Sequence, residues 1–171
     1  MSLVPNHIRN LLRYKAGKPI DEVKRELGLE KVIKLASNEN PLGPSLKAIK
    51  AIEDSLKSIS LYPDSNGFYL REKLSEKFSV DIENVVLGAG SEGIMATIMR
   101  TFLNDSDHIL ATKNSFIGFR VLANASGKNI DWVPMREYAY DLNAMLDSIH
   151  DKTKIIYLAN PDNPTGTYFN K

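Results

Sequence analysis

Apolar residues sit at helical spacing in the first half of the chain and in short runs between helical stretches in the second. Ile8, Leu11 and Leu12 fall on one helical face, and Leu27-Gly28 reads as a helix stop. Leu35 to Ser45 is dense in turn formers (Ala36-Ser37-Asn38-Glu39-Asn40-Pro41-Leu42-Gly43-Pro44) and predicts irregular chain across a surface or cleft. From Ser45 a helix is predicted by Leu46, Ile49, Ile52, Leu56 and Ile59, closed by Tyr62-Pro63-Asp64. Leu70, Leu74 and Phe78 predict a second helix.

The rest alternates. Strands are predicted at Val85–Leu87, His108–Thr112, Ile130–Met135 and Ile155–Ala159. Helices are predicted at Ser91–Leu103, Ser115–Ser126 and Leu142–His150, the last opened by Asp141 as N-cap. Such alternation implies βαβ units, hence an α/β fold of three layers with a mostly parallel sheet and helices on both faces. The expected division is an N-terminal helical arm and lead-in helix over residues 1–61, then the main α/β region over 62–171.

Composition narrows the function classes. With 43% apolar and 25% charged residues, the 171-residue chain can bury a core. Its net charge of +1 and mixed basic and acidic residues offer no electrostatic case for nucleic acid or an anionic membrane. The absence of cysteine excludes disulfides, thiol nucleophiles and thiolate metal sites. No run approaches transmembrane length and no signal-type apolar region opens the chain, so a cytoplasmic location is expected. His7, His108 and His150 are far apart without ligand spacing, which predicts no metal site.

Two stretches carry candidate chemistry. In Tyr157-Leu158-Ala159-Asn160-Pro161-Asp162-Asn163-Pro164-Thr165-Gly166, a buried run stops at two prolines. Each proline restricts itself and the residue before it, so Asn160 and Asn163 are expected to be extended with their amides aimed. A rigid loop at the carboxyl end of a parallel strand lies where α/β folds bind ligands. The second stretch, Gly88-Ala89-Gly90-Ser91-Glu92-Gly93, matches G-x-G-x-x-G before a helix. Helix N-terminal amides there suit a phosphate, and Ser91 can cap the helix or donate its hydroxyl. A nicotinamide-binding domain using Gly88, Gly90 and Gly93 is one reading. It lacks the acidic residue at the end of the next strand, where Thr112-Lys113-Asn114 stands.

The N-P-D-N-P-T-G loop, the G-S-E turn and Phe116 together resemble the fold-type I aminotransferases, which depend on pyridoxal 5'-phosphate (PLP). The resemblance implies that Gly90, Ser91 and Glu92 hold the cofactor phosphate, Glu92 through its backbone N–H. It implies that Phe116 stacks on the pyridine ring and that Asn163 bonds the phenolic oxygen. Asn114 stands where the family often has proline. Tyr62 matches a tyrosine that reaches the phosphate of a neighbouring subunit, which implies a homodimer.

Within the family, Ile8-Arg9-Asn10-Leu11, the N-E-N-P-L-G-P-S run and Tyr62-Pro63-Asp64 resemble the histidinol-phosphate aminotransferase subgroup. Aromatic aminotransferases and amino-acid-phosphate decarboxylases share parts of this pattern. The implied substrates are a small amino donor, L-histidinol phosphate, and 2-oxoglutarate, exchanged in a ping-pong cycle, with Tyr14 and Asn38 near the donor. The family's Schiff-base lysine lies in a Ser-x-x-Lys segment, and no Ser-x-x-Lys occurs in this chain. The expectation is an N-terminal portion of such an enzyme, inactive by itself.

Overall fold

The computed structural model describes residues 2–11 and 17–170. The chain forms two compact units, one of residues 1–13 and 86–171 and the other of residues 14–85; position 61/62 lies inside the second.

The first unit is built on three parallel strands, β1 (His108–Thr112), β2 (Asn129–Val133) and β3 (Thr153–Ile156), in the order β2-β1-β3. Side chains alternate across the central strand. Ile109 and Ala111 face a cluster with Met99 and Leu103 at the end of α5 (Gly90–Phe102), and with Phe119 and Ala123 of α6 (Ile117–Ser126). Leu110 faces the other way, against Val133 and Met145 of α7 (Leu142–Asp147). Ile109 and Leu110 are fully buried, each worth roughly 1.5–3 kcal/mol of apolar transfer. Thr112, also buried, donates its hydroxyl to Met145 Sδ at 3.3 Å. The sheet is therefore covered on both faces, as the strand–helix alternation implies.

Local chemistry explains most boundaries. Asp141 caps α7 by accepting the Ala144 N–H at 3.0 Å. Gly127, at φ +70, closes α6 in a left-handed turn that glycine adopts without Cβ strain. The helix α1 (Asn6–Arg9) packs on α6, and a Cβ at Gly127 would sit 2.8 Å from the His7 ring.

Two expectations are corrected. Val85–Leu87 is not a strand; Arg71 holds its first carbonyl instead, with Nε donating to Val85 O at 2.9 Å while Nη2 donates to Ile82 O at 2.7 Å in the turn before it. The last strand starts and ends earlier than its apolar run. Tyr157 N–H still bonds Leu110 O at 2.9 Å, but Leu158 and Ala159 lie beyond β3.

The second unit contains α2 (Ile20–Leu27), α3 (Leu46–Ser55) and α4 (Phe68–Phe78). The predicted stop at Gly28 is observed, in the left-handed conformation. The chain continues from α3 through a short 3-10 turn, Leu56–Ser58. None of these helices has a fully buried residue, and Leu46, Ile52, Leu56 and Ile59 are exposed.

Candidate functional site

The strand order sets the location. From β1 the chain passes through α6 to β2 on one side, then through α7 to β3 on the other. Such a reversal opens a crevice at the carboxyl ends of the two strands it separates, here β1 and β3. The loops after those strands carry Phe116 and Asn163.

Three segments meet at this end. The first is the N-terminus of α5. Gly90 adopts φ +67, and its N–H bonds Gly88 O at 2.8 Å in a tight turn. A Cβ at Gly88 would come within 2.7 Å of Ile94 Cδ1. Ala89 is the N-cap, and no side chain caps the helix. Ser91 therefore does not act as the cap; it is exposed within the first turn. The amides at the start of α5, those of Ser91 and Glu92 among them, have no carbonyl four residues back within the helix and lie at its positive end.

The second segment follows β1. Asn114 has φ +65, a conformation that asparagine tolerates and proline cannot adopt. This turn therefore differs from one with proline there. Phe116 caps α6, and its ring is half-buried against the α5–α6 cluster. A Cβ at Gly118 would lie 2.6 Å from that ring and 2.8 Å from Glu92 Oε1. Glu92 and Phe116 are thus brought together over a residue without a side chain.

The third segment follows β3, and its organiser is Asp162, which no sequence motif singles out. Asp162 is 4% exposed. Its Oδ1 accepts the Ser115 hydroxyl; its Oδ2 accepts the Thr165 hydroxyl at 2.9 Å and the Thr165 N–H at 3.3 Å. Ser115 Oγ also lies 2.8 Å from the Tyr140 hydroxyl, which accepts the Ala159 N–H at 2.9 Å. Ser115 precedes Phe116 and Asp162 precedes Asn163, so one polar network ties together the loops bearing both candidate residues. Asn160, exposed, is held by the chain that follows: its amide donates to Phe169 O at 2.9 Å and accepts the Phe169 N–H at 3.2 Å. Asn163 is exposed. Tyr157 stacks on Phe119 at 3.6 Å, and its hydroxyl pKa is raised by burial and by the charges of Tyr140 and Asp162. It remains protonated at neutral pH, available as a donor rather than a base.

Gly90, Ser91, Glu92, Phe116 and Asn163 therefore belong to one unit and to loops at one end of its sheet. Tyr62 and Asn38 belong to the second unit, both exposed. Tyr14 lies outside the described residues.

One expectation about the histidines is corrected. Although distant in sequence, His108 and His150 meet at the opposite end of the sheet. His108 Nδ1 and His150 Nε2 each lie 2.9 Å from Asp131 Oδ2. Burial pushes the Asp131 carboxyl upward, but the bonds from His150 and His108 and their charges outweigh it and hold the pKa below its usual range.

A parallel α/β sheet with the loops of Phe116 and Asn163 at its carboxyl end agrees with the sequence comparison: the family described as aminotransferase class I and II matches residues 30–171, and the chain belongs to it. The chain is 42% identical to histidinol-phosphate aminotransferase 1 of Idiomarina loihiensis over 98% of its own length and 46% of the relative. It is 45% identical to histidinol-phosphate aminotransferase of Caldicellulosiruptor saccharolyticus, over 96% of the chain and 46% of the relative. The chain thus spans about half the length of the curated relatives it matches. Its fold is similar to the crystal structure of histidinol-phosphate aminotransferase from Sinorhizobium meliloti in complex with pyridoxal-5'-phosphate. The TM-score is 0.79 at 22% identity, covering 96% of this chain and 44% of that one. No helix among the described residues is long and apolar enough to cross a membrane.

Proposed function

We propose that the loops at the carboxyl end of the sheet bind pyridoxal 5'-phosphate, and that the chain serves transamination between L-histidinol phosphate and 2-oxoglutarate. The carrying observation is the Ser115–Asp162 bond, which joins the loop of Phe116 to that of Asn163 within a unit that also presents the α5 N-terminus. The donor set fits the cofactor. Ser91 and Glu92 offer backbone N–H groups, and Ser91 a hydroxyl, to a phosphate at a helix N-terminus. The Glu92 carboxylate would repel that phosphate, so its part is the N–H. Phe116 presents a flat apolar face to a flat ring. The exposed amide of Asn163 can donate to a phenolic oxygen and favour its ionised form. When bound, the cofactor supplies an electron sink that makes the substrate Cα–H acidic.

The relatives' names support phosphorylated histidinol as the donor. By the same reading the enzyme is a cytoplasmic homodimer; the fully exposed Tyr62 ring suits a contact with the neighbouring subunit's phosphate, and Tyr14 and Asn38 serve the donor. The nicotinamide reading loses support, because residues 85–87, directly before Gly88, form no strand.

Titration of the chain, followed by the fluorescence of its single tryptophan, Trp132, tests the reading. PLP is expected to bind at least about tenfold more tightly than pyridoxal, a difference of roughly 1.4 kcal/mol carried by the phosphate. Ser91→Ala should remove most of that preference. Binding of NAD without PLP, or equal binding of PLP and pyridoxal, would overturn the cofactor assignment. With no Ser-x-x-Lys segment, the chain mixed with donor, acceptor and excess PLP is expected not to turn over. The gene encoding the chain is accordingly expected not to restore growth to a histidine auxotroph lacking this aminotransferase; restored growth would overturn the expected inactivity while supporting the donor assignment.

A further inference from the structure

We propose that His108, Asp131 and His150 form a binding site for one divalent transition-metal ion of the zinc class, at the end of the sheet opposite the proposed cofactor loops. The inference does not depend on the aminotransferase reading.

Three elements of the first unit deliver the ligands. His108 opens β1, Asp131 stands in β2, and His150 lies between α7 and β3. Parallel pairing sets His108 beside Asn129 on one side and Thr153 on the other, so Asp131 and His150 are both near its side chain. One ring nitrogen of His108, one of His150 and a carboxylate oxygen of Asp131 lie within 4.8 Å of one another. The two rings are edge to face, with centroids 4.8 Å apart and an interplanar angle of 83°, so they approach the carboxylate from different directions.

Two imidazoles and a carboxylate make a donor set suited to Zn2+, with Ni2+ and Cu2+ as competitors. It is a poor set for Mg2+ or Ca2+, which require oxygen ligands. The side chains of His108, Asp131 and His150 are 23%, 32% and 42% exposed, which leaves a solvent side where water completes the coordination. Ligands about 2.0–2.1 Å from a tetrahedral ion stand roughly 3.4 Å apart. The present 2.9 Å separations from Asp131 would open by about half an ångström, and the two ring nitrogens, now within 4.8 Å, would settle at a similar spacing, both by side-chain rotation.

The cost of binding is also visible. Lys152 N–H donates to His150 Nδ1 at 3.2 Å, so the neutral ring carries its proton on Nε2, facing Asp131. Coordination through Nε2 moves that proton to Nδ1 and gives up the Lys152 contact, the longest of the cluster's bonds. Protons shared between the rings and Asp131 now fill the space that the ion would take. A single divalent charge replaces them against the same carboxylate.

Titration of the 171-residue chain with ZnCl2, read by calorimetry and by the imidazole C–H signals in NMR, tests the site. One ion per chain is expected. The signals of His108 and His150 should shift together at stoichiometric zinc while that of His7 stays in place, and MgCl2 should give no response. Asp131→Asn and His150→Gln should each weaken zinc binding at least about tenfold, whereas His7→Gln should leave it unchanged. Absence of binding at about tenfold excess zinc overturns the proposal. A response from His7 equal to the other two, or variant affinities within about twofold of the wild type, also overturns it. Should either variant fail to fold, the wild-type NMR pattern decides.

Discussion

The two ends of the sheet are each tied by an aspartate that accepts bonds from other elements, at different depths and with different donors. At the carboxyl end, Asp162 is almost fully buried and its donors are two hydroxyls and a backbone N–H. At the amino end, Asp131 is partly exposed and its donors are imidazoles. Hydroxyls and amides can do little but hold shape, and burial removes water as an alternative partner. Imidazoles can exchange a proton for a metal ion, and solvent access lets one arrive. The buried carboxylate builds a fixed loop geometry; the partly exposed one suits the adaptable site proposed above.

The largest effect should come from Asp162→Ala. It leaves the Thr165 N–H and the Ser115 and Thr165 hydroxyls without their acceptor, at a cost of about 2–4 kcal/mol in unfolding free energy by denaturant titration. The damage should be local to the carboxyl end: PLP binding should weaken while the NMR signals of His108 and His150 keep their positions. Asp162→Asn keeps an acceptor oxygen and offers an N–H to Ser115 Oγ, so it should recover at least half of the loss. If both variants behaved alike, the carboxylate would be filling space rather than joining two loops.

At the amino end, Asp131→Asn in zinc-free protein should cost only about 1 kcal/mol, because water can replace a partly exposed partner. PLP binding should not change. A loss as large as that of Asp162→Ala would break the comparison, since depth would then not govern the worth of the two carboxylates.

The contrast also shows what could be read from sequence. The limits of β1 and the Asp141 cap follow from local periodicity and cap chemistry, and both are observed. The last strand departs from its apolar run because apolar character continues through Leu158 and Ala159, after the ladder ends. Spacing shows that a loop is rigid, but not which of several adjacent polar side chains turns inward. In Asn160-Pro161-Asp162-Asn163, the buried one is Asp162. His108, Asp131 and His150, separated by 23 and 19 residues, become neighbours only through the register of three parallel strands. No local pattern encodes that register.

Asp64, in the second unit, extends the comparison to an exposed carboxylate and should give the smallest effect. Its Oδ1 accepts the Asn66 N–H at 3.0 Å and its Oδ2 the Phe68 N–H at 2.9 Å, where α4 begins. The bonds from Phe68 and then Asn66, helped by the Arg71 charge, hold its pKa below the usual 3.8. A carboxyl lowered on folding stabilises the fold fully above its unfolded value, and that contribution fades as pH falls through the lower folded value. The amide proton shifts of Phe68 and Asn66 should therefore titrate together, with a midpoint below 3.8. Asp64→Asn stands in for the protonated acid. Its difference from wild type in protection of the first turn of α4 should be complete near neutral pH and close in acid. A midpoint at or above 3.8 would mean that these bonds do not favour the charged form. The gradation from Asp162 through Asp131 to Asp64 would then fail at its exposed end.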